Sequence, residues 1–186
     1  MVELSVVFEK KGSLTEGESL DFFLINFQNG DILTSVYKRL HAEGLYRGVF
    51  GGSSLLSFIA TVLKVNAVTY MPIIRGPNGE LKECCGLLWI EKTHDLPRTG
   101  RCHFLFFRRF WGRISKDVTK MCLCDAFDAQ GFALLLAIMS VKQKLVLNSA
   151  RKLGFSDVGI LPKSMMFLGE ITDAVILYLH KEDFNG

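Results

Sequence analysis

Hydrophobic positions along the chain follow strand-like and helix-like spacings in turn, and this pattern predicts its first elements. Leu4–Glu9 has the short apolar run of a first strand, whereas the apolar residues of Gly17–Phe27 fall at helical spacing. Asn29-Gly30 breaks this segment, and Asp31 is then predicted to cap a further helix that ends before Gly44.

The spacing changes again in the middle of the chain. Gly51–Ser54 precedes an apolar helix predicted over Leu55–Leu63, and Val68–Ile74 reads as a strand. The turn signal Gly76–Gly79 then predicts a hairpin whose returning strand runs over Cys84–Ile90.

Strands and helices alternate in the second half of the chain. The predicted order is strand 103–107, helix 115–128, strand 132–141, helix 142–153, strand 158–161 and strand 174–180. Such alternation favours α/β packing, in which helices cover both faces of a mixed sheet. The sequence shows no repeat, low-complexity tract or linker. It therefore predicts one domain over residues 1–186.

Composition narrows the class of protein. Apolar residues make up 49% and charged residues 22% of the 186, which predicts a packed globular chain. The net charge of +3, with no dense Lys/Arg run, argues against nucleic-acid binding. Phe132–Met139 is too short for a membrane helix and the N-terminus lacks a signal-peptide pattern, so we expect a cytoplasmic protein without a membrane partner.

The five cysteines carry no recognisable chemistry. Cys84 and Cys85 are adjacent, and Cys122 and Cys124 lie two apart, so none forms a C-x-x-C pair. We therefore expect free thiols in a reducing compartment and no bound metal. A thiol enzyme is the weakest functional hypothesis, because no Cys/His pair has a family signature.

The most informative segment follows the strand 103–107. Arg109–Ile114 is a basic turn that contains Gly112 and opens a helix. Backbone N–H groups and the positive end of the helix dipole meet at such a position, which suits phosphate or pyrophosphate. Trp111 is predicted either to stack on a ligand or to be a half-buried surface ring.

This turn resembles the pyrophosphate-binding turn of the GNAT (GCN5-related N-acetyltransferase) superfamily, whose pattern is Arg/Gln-x-x-Gly-x-Gly/Ala. Arg109 and Gly112 match the pattern, whereas Ile114 stands where a small residue is usual. Lys152–Phe155 resembles the family's Lys-x-Gly-Phe ending of the next helix. Counting back, Gln143 occupies the place of the usual Asn, and Ala150 that of the Tyr that protonates the leaving thiolate.

The resemblance implies a three-layer αβα domain with a mixed, mostly antiparallel sheet splayed between its fourth and fifth strands. Residues 1–80 would form the acceptor-side half and residues 81–186 the CoA-binding half. It also implies acetyl-CoA as cosubstrate, held by the backbone of the turn with one Arg in support. The implied contact residues are Phe107, Arg109, Phe110, Trp111, Gly112, Arg113, Ile114 and Gln143.

Two residues are candidates for the general base that such a transfer needs. His103 lies on the fourth strand of the family pattern and has an ordinary pKa near neutrality, and Glu91 lies at the end of the preceding strand. Each also has a structural interpretation, His103 as a packed strand residue and Glu91 as a solvated strand end. Tyr178 or a Cys is left as a candidate for the missing acid.

Two functional hypotheses follow from the resemblance. The first is a CoA-dependent N-acyltransferase that moves an acetyl group directly to an amine of a small molecule or a protein. The alternative is a GNAT-like chain that has lost catalysis and serves as a binding or assembly module, which Ile114 and Ala150 favour. The edge beside the last strands leaves a homodimer open.

Overall fold

A computed structural model describes residues 5–11, 18–24, 30–46, 54–64, 66–94 and 96–184. The strands are β1 (Ser5–Lys11), β2 (Ser19–Leu24), β3 (Ala67–Arg75), β4 (Leu81–Cys84), β5 (Gly86–Lys92), β6 (Thr99–Phe106), β7 (Leu134–Ser140), β8 (Ser156–Phe167) and β9 (Glu170–His180). The helices are α1 (Gly30–Ala42), α2 (Leu55–Val62), α3 (Arg113–Asp128) and α4 (Lys144–Lys152), with short 3₁₀ turns at Arg108–Phe110 and Lys181–Asp183.

One mixed sheet holds all of these strands. Its order is β1-β2-β3-β5-β6-β7-β9-β8, and β4 pairs with β3 beside that path. The pairing of β6 with β7 is parallel, and the others are antiparallel. A chain can change from antiparallel to parallel pairing here because α3 supplies the long crossover that parallel neighbours need.

Helices cover both faces of the sheet, so the predicted αβα layering is confirmed. Thr69 and His103 both lie opposite Trp89 in the ladders, which places the three side chains on one face. The Thr69 hydroxyl donates to the Val62 carbonyl at the end of α2, so the α1–α2 layer is on this face. On the other face, the Tyr70 hydroxyl donates to the Asp125 carboxylate of α3 over 2.8 Å.

The predicted splay lies between β6 and β7. The two strands pair only along Thr99–Arg101 and Leu134–Leu136. Beyond Arg101, the edge of β6 that faces β7 has no ladder partner among the described residues, whereas its other edge stays paired with β5 as far as Phe106. A gap with backbone groups outside the ladder on one wall therefore opens toward the carboxyl end of β6.

The helix predicted within Gly17–Phe27 is wrong where the structure describes it, because residues 19–24 form β2. Leu20 lies opposite Ile74 and Phe23 opposite Met71 in the ladder with β3. Leu20, Asp21 and Phe23 are all buried, so both faces of this strand are covered. A strand buried on both faces loses its alternation, and its apolar positions then match helical spacing by chance.

The single returning strand predicted over Cys84–Ile90 is also wrong, since the chain forms β4 and β5 with a break at Cys85. A Cβ at Gly86 would lie 2.0 Å from the carbonyl oxygen of Leu105. Glycine therefore lets β5 begin in close contact with β6. The predicted hairpin turn at Gly76–Gly79 is confirmed, with the Gly79 N–H donating to the Gly76 carbonyl over 2.9 Å.

Other predicted elements are present with shifted ends. The central strand begins at Thr99 rather than at residue 103, and the last two strands are longer than predicted. Helix α2 is capped by Ser54, whose hydroxyl accepts from the Ser57 N–H. The predictions for Leu4, Asn29 and Gly51–Ser53 lie outside the described residues. In the part of the chain described, no helix is long and apolar enough to cross a membrane.

Candidate acetyl-CoA site and catalytic pair

The turn after β6 is anchored by two aromatic side chains. Phe107 and Phe110 are buried in the core, so only their backbone atoms face a ligand. Trp111 is 52% exposed, and its indole N–H donates to the Phe106 carbonyl over 2.8 Å. This bond holds the ring against the end of β6, at the mouth of the gap between β6 and β7.

Gly112 ends the turn and begins α3. Its φ of +98° and ψ of −123° lie in a region that residues with a side chain rarely adopt. The first hydrogen bond of the helix runs from the Lys116 N–H to the Gly112 carbonyl, so the amides of residues 113–115 precede the helical ladder. A Cβ at Gly112 would meet nothing within 4 Å, so these amides adjoin open space. The geometry fits an oxyanion such as a phosphate.

The arginines of the turn are held by carboxylates from other elements. The Arg109 side chain is 71% exposed and lies 2.7 Å from the Glu83 carboxylate of β4. The Arg108 backbone N–H donates to the Glu43 carboxylate over 2.8 Å. The Arg108 side chain donates to the Glu43 backbone carbonyl and that of Arg109 to Glu83, so the two arginines do not converge on one anion. The side chain of Arg113 lies outside the described part.

Arg39 of α1 connects these carboxylates. Its guanidinium lies 2.9 Å from Glu43 and 2.7 Å from Glu83, and 3.9 Å from the centroid of the Phe107 ring. Helix α1 is thereby tied to the turn through charge and through stacking on an aromatic face. Sequence analysis missed this network. The i,i+4 spacing of Arg39 and Glu43 is a readable helix pair, but its link to the turn depends on residues far apart in sequence.

Ile114 packs its partly buried side chain against the core. A branched residue here therefore fills space inside the protein, and its amide remains in the first turn of α3. The departure from the small-residue pattern is compatible with a backbone anion site.

Gln143 lies just before α4, on the other side of the gap. Its side-chain oxygen accepts from the Ser140 N–H over 2.9 Å, and its carbonyl accepts from the Leu147 N–H. Ser140 is fully buried and shares a hydroxyl–hydroxyl bond of 2.8 Å with Thr172. Gln143 is thus held in place by the carboxyl end of β7, at the open end of the gap.

The Lys152–Phe155 ending has a structural explanation of its own. Gly154 has φ +100°, its N–H donates to the Arg151 carbonyl, and the Phe155 N–H donates to the Ala150 carbonyl. This pair of bonds is the Schellman motif, which ends a helix at glycine. Phe155 is buried and its ring meets Phe104 edge-on at 6.4 Å. The motif therefore sets the position of α4 and contributes no chemistry.

The two predicted catalytic residues lie beside each other on the α1–α2 face. His103 Nε2 is 3.7 Å from the Glu91 carboxylate, and its ring stacks on Trp89 with centroids 4.7 Å apart. The same Glu91 oxygen accepts from the Lys64 ammonium over 2.9 Å. His103 Nε2 itself is buried and makes no hydrogen bond to any described residue.

The charge states of this pair follow from its surroundings. Burial lowers the pKa of His103 to about 4, although the Glu91 carboxylate opposes that shift. Burial also works against ionisation of Glu91, but the Lys64 hydrogen bond and the charges of His103 and Arg101 outweigh it and lower the Glu91 pKa. At neutral pH the pair is a neutral imidazole beside a carboxylate, and both are able to accept a proton.

Ala150 occupies the place of the usual acid, and Cys102 and Tyr178 are candidates to replace it. Ala150 is buried within α4, as a packing residue. Cys102 lies beside the gap with its thiol donating to the Leu136 carbonyl, and burial raises its pKa, so it stays protonated. Tyr178 lies opposite Leu136, which in turn lies opposite Arg101, so it stands at the level where the gap opens.

Among the described residues, no group of three or more His, Cys, Asp or Glu side chains is placed to hold a metal ion. The end of β6 and the turn connect the His103–Glu91 pair to the candidate anion site. Four residues of extended chain, about 13 Å, lie between His103 and the start of the turn at Phe107. A ligand that binds the turn and extends along β6 would therefore reach the pair.

Comparisons of this geometry with known structures show the fold of acetyltransferases. No family model matches the sequence, and no curated protein matches it significantly. Mycobacterium smegmatis RimJ in complex with CoA-disulfide is similar with a TM-score of 0.69 and 16% identity, over 91% of this chain and 86% of that one. The ribosomal-protein-S5-alanine acetyltransferase of Vibrio fischeri gives 0.68 and 14%, over 95% and 100%.

A third similar structure is the spermidine N-acetyltransferase of Vibrio cholerae in complex with CoA and spermine. Its TM-score is 0.66 at 12% identity, over 88% of this chain and 96% of that one. The predicted GNAT fold is thereby confirmed in a divergent sequence. Fold similarity at these identities leaves the activity to be argued from the residues of the site.

Proposed function

We propose that this chain, with its GNAT fold, is a CoA-dependent N-acyltransferase that moves an acetyl group from acetyl-CoA to an amine. One observation carries the proposal. A glycine turn follows β6 at the start of α3, and a pair of proton acceptors, His103 of β6 and Glu91 of β5, lies beside the point where β6 separates from β7.

The turn would hold the pyrophosphate of the cosubstrate. The amides at the start of α3 supply hydrogen-bond donors and the positive end of the helix dipole. Arg109 adds a positive charge on a largely exposed side chain, which pairs with Glu83 and lies over the Phe110 ring. Trp111 and Gln143 flank the opening of the gap along which the acyl arm would extend.

The chemistry beside the His103–Glu91 pair requires one bond exchange and two proton transfers, one from the amine and one to the leaving thiolate. The amine nitrogen forms a bond to the thioester carbonyl carbon, the carbon–sulfur bond breaks, and the CoA thiolate leaves and takes up a proton. Free N–H groups on the open edge of β6 would polarise the carbonyl oxygen. His103 or Glu91 would accept the proton that the amine loses.

The test has two stages, because ligand binding and transfer are separable. Acetyl-CoA at 100 times its dissociation constant should stabilise the folded protein by about 2.7 kcal/mol, visible as a rise in the melting temperature. Release of the CoA thiol in the presence of amines then measures transfer. No stabilisation at millimolar acetyl-CoA contradicts the proposal, and saturable binding without transfer to any amine would favour a non-catalytic module.

A further inference from the structure

The charges beside the catalytic pair are arranged with the carboxylate inside and the cations outside. The Glu91 side chain is 13% exposed, whereas that of Lys64, its ion-pair partner, is 43% exposed. Arg101 lies opposite Glu91 in the ladder of β5 and β6 and is exposed as well. A molecule that approaches this face therefore meets two cations before it meets the carboxylate.

The segment that precedes β3 also has more positively charged than negatively charged residues. Between residues 25 and 66, which include α1 and α2, the sequence has two carboxylates against four cations. They are Asp31 and Glu43 against Lys38, Arg39, Arg47 and Lys64. Glu43 and Arg39 are paired with each other, and Arg39 also with Glu83, so neither is available to an incoming charge. Asp31 then remains against three cations.

We infer that the acceptor is an amine that has a negative charge near its reacting nitrogen, and that Lys64 and Arg101 recognise this charge. The inference rests on the proposed function and specifies its substrate class. An acidic amino acid or a peptide with a free N-terminus followed by acidic residues has this chemistry. A polyamine does not, because it would place several positive charges beside Lys64 and Arg101 with few carboxylates to meet them.

The same charges assist the transfer itself. An acceptor amine attacks only after it has lost its proton. Lys64 and Arg101 are two cations against the one carboxylate of Glu91, so the balance of charge disfavours the ammonium form and lowers the pKa of the bound amine. The anionic group of the acceptor compensates for this repulsion by pairing with the two cations, so binding is retained while the nitrogen becomes nucleophilic. The proton released passes to the His103–Glu91 pair.

The experiment compares acceptors with the full chain saturated with acetyl-CoA. Two peptides share a free N-terminal Ala and differ only at their second and third residues, which are Asp in one and Arg in the other. Arg is chosen because its guanidinium does not accept acetyl groups under these conditions. Free L-glutamate and spermidine complete the set, and glutamate against the Asp peptide distinguishes the two acidic sources. We expect kcat/KM for the better acidic acceptor to exceed that for the Arg peptide and for spermidine by at least about tenfold, which is about 1.4 kcal/mol.

Charge-removing variants show which residues are responsible. Lys64→Gln and Arg101→Gln should each reduce the acidic preference, and added salt should reduce it in the parent protein. Lys92→Gln is the matched control, because Lys92 is an exposed lysine next to Glu91 whose side chain points to the other face of β5. We expect it to leave the preference unchanged.

The outcomes separate the two claims. Equal or better use of the Arg peptide or spermidine overturns the inference and leaves the acyltransferase proposal intact. If the protein binds acetyl-CoA but neither binds nor acetylates the acidic acceptors in preference to the others, the inference is again wrong. If acetyl-CoA fails to bind, the proposed function is wrong, and the acceptor class inferred from it is withdrawn.

Discussion

The turn that follows β6 and the His103–Glu91 pair of β6 and β5 are neighbours along β6, but they offer a ligand different groups. The turn presents backbone amides, and the aromatic side chains of Phe107 and Phe110 only anchor it in the core. The pair works through side chains, whose charge states are set by burial and by Lys64. Under the proposed function, the anion site would therefore tolerate sequence change except where its backbone conformation depends on it, whereas the proton-transfer site would depend on the identity of each side chain.

Removal of the His103 imidazole is the strongest test of this difference between the turn and the His103–Glu91 pair. If His103 is the general base, His103→Ala should lower kcat by about 10²–10⁴, the usual contribution of general-base catalysis. The dissociation constant for acetyl-CoA should stay within about twofold, because the turn is untouched. Steady-state kinetics and calorimetric titration measure the two quantities.

A companion variant assigns the role within the pair. Glu91→Gln keeps the shape of the side chain and removes its charge, so a larger loss of kcat in this variant than in His103→Ala would make Glu91 the base. Unchanged turnover in both would exclude the pair from the mechanism.

At the turn, Gly112→Asp should weaken acetyl-CoA binding by about 100-fold or more. The new carboxylate would lie in the open space beside the first amides of α3, where it would repel a phosphate and take its hydrogen bonds. Calorimetric titration of the folded variant with acetyl-CoA measures the effect.

Two controls separate charge from backbone strain. Gly112→Ala imposes a similar strain, of order 1–3 kcal/mol, without the charge. Gly169→Asp places the same carboxylate at another glycine with positive φ and open space, in the β8–β9 turn far along the chain. Equal loss of affinity in Gly112→Ala would show that conformation matters more than charge.

Local signals explain why the second half of the chain could be predicted from sequence. Gly112 and Gly154 each adopt a positive φ at a helix end, and glycine at such positions is readable without tertiary information. These signals predict the helices α3 and α4 and the strands around them. The pattern also put His103 and Glu91 on successive strands, but it did not predict that Lys64 joins them.

The first half was less predictable because its structure depends on distant partners. Residues 19–24 form a strand only because β1 and β3 pair with both of its edges. Arg39 is linked to the turn through Glu43 and Glu83. Of these residues, Arg39 and Glu83 are more than forty positions apart in sequence. No local pattern reports such contacts, since each of these residues also fits a solvated helix or strand surface.

Acidification should reveal the buried imidazole as a loss of stability. The His103 pKa is lowered from its ordinary value of about 6.5 to about 4 in the folded protein. Between these values the unfolded chain binds a proton that the folded chain does not, so the free energy of unfolding falls as pH decreases through this window. Denaturant titrations at a series of pH values should show a shallower fall in His103→Gln. An identical pH dependence in the two proteins would mean that the imidazole is not desolvated.

The smallest effect on acetyl-CoA binding is expected from Arg109, the side chain that the turn would contribute to the site. Glu83→Gln should release Arg109 for the ligand and remove a negative charge close to the site, so acetyl-CoA should bind a few-fold more tightly. The gain is limited to about 1 kcal/mol because the Arg109–Glu83 pair is exposed and screened by water. Glu80→Gln is the control for net charge alone, because it removes the charge of an exposed carboxylate in the adjacent hairpin. Weaker binding in Glu83→Gln would show instead that Glu83 helps Arg39 to hold the turn in shape. The backbone site would then depend on side chains of β4 as well.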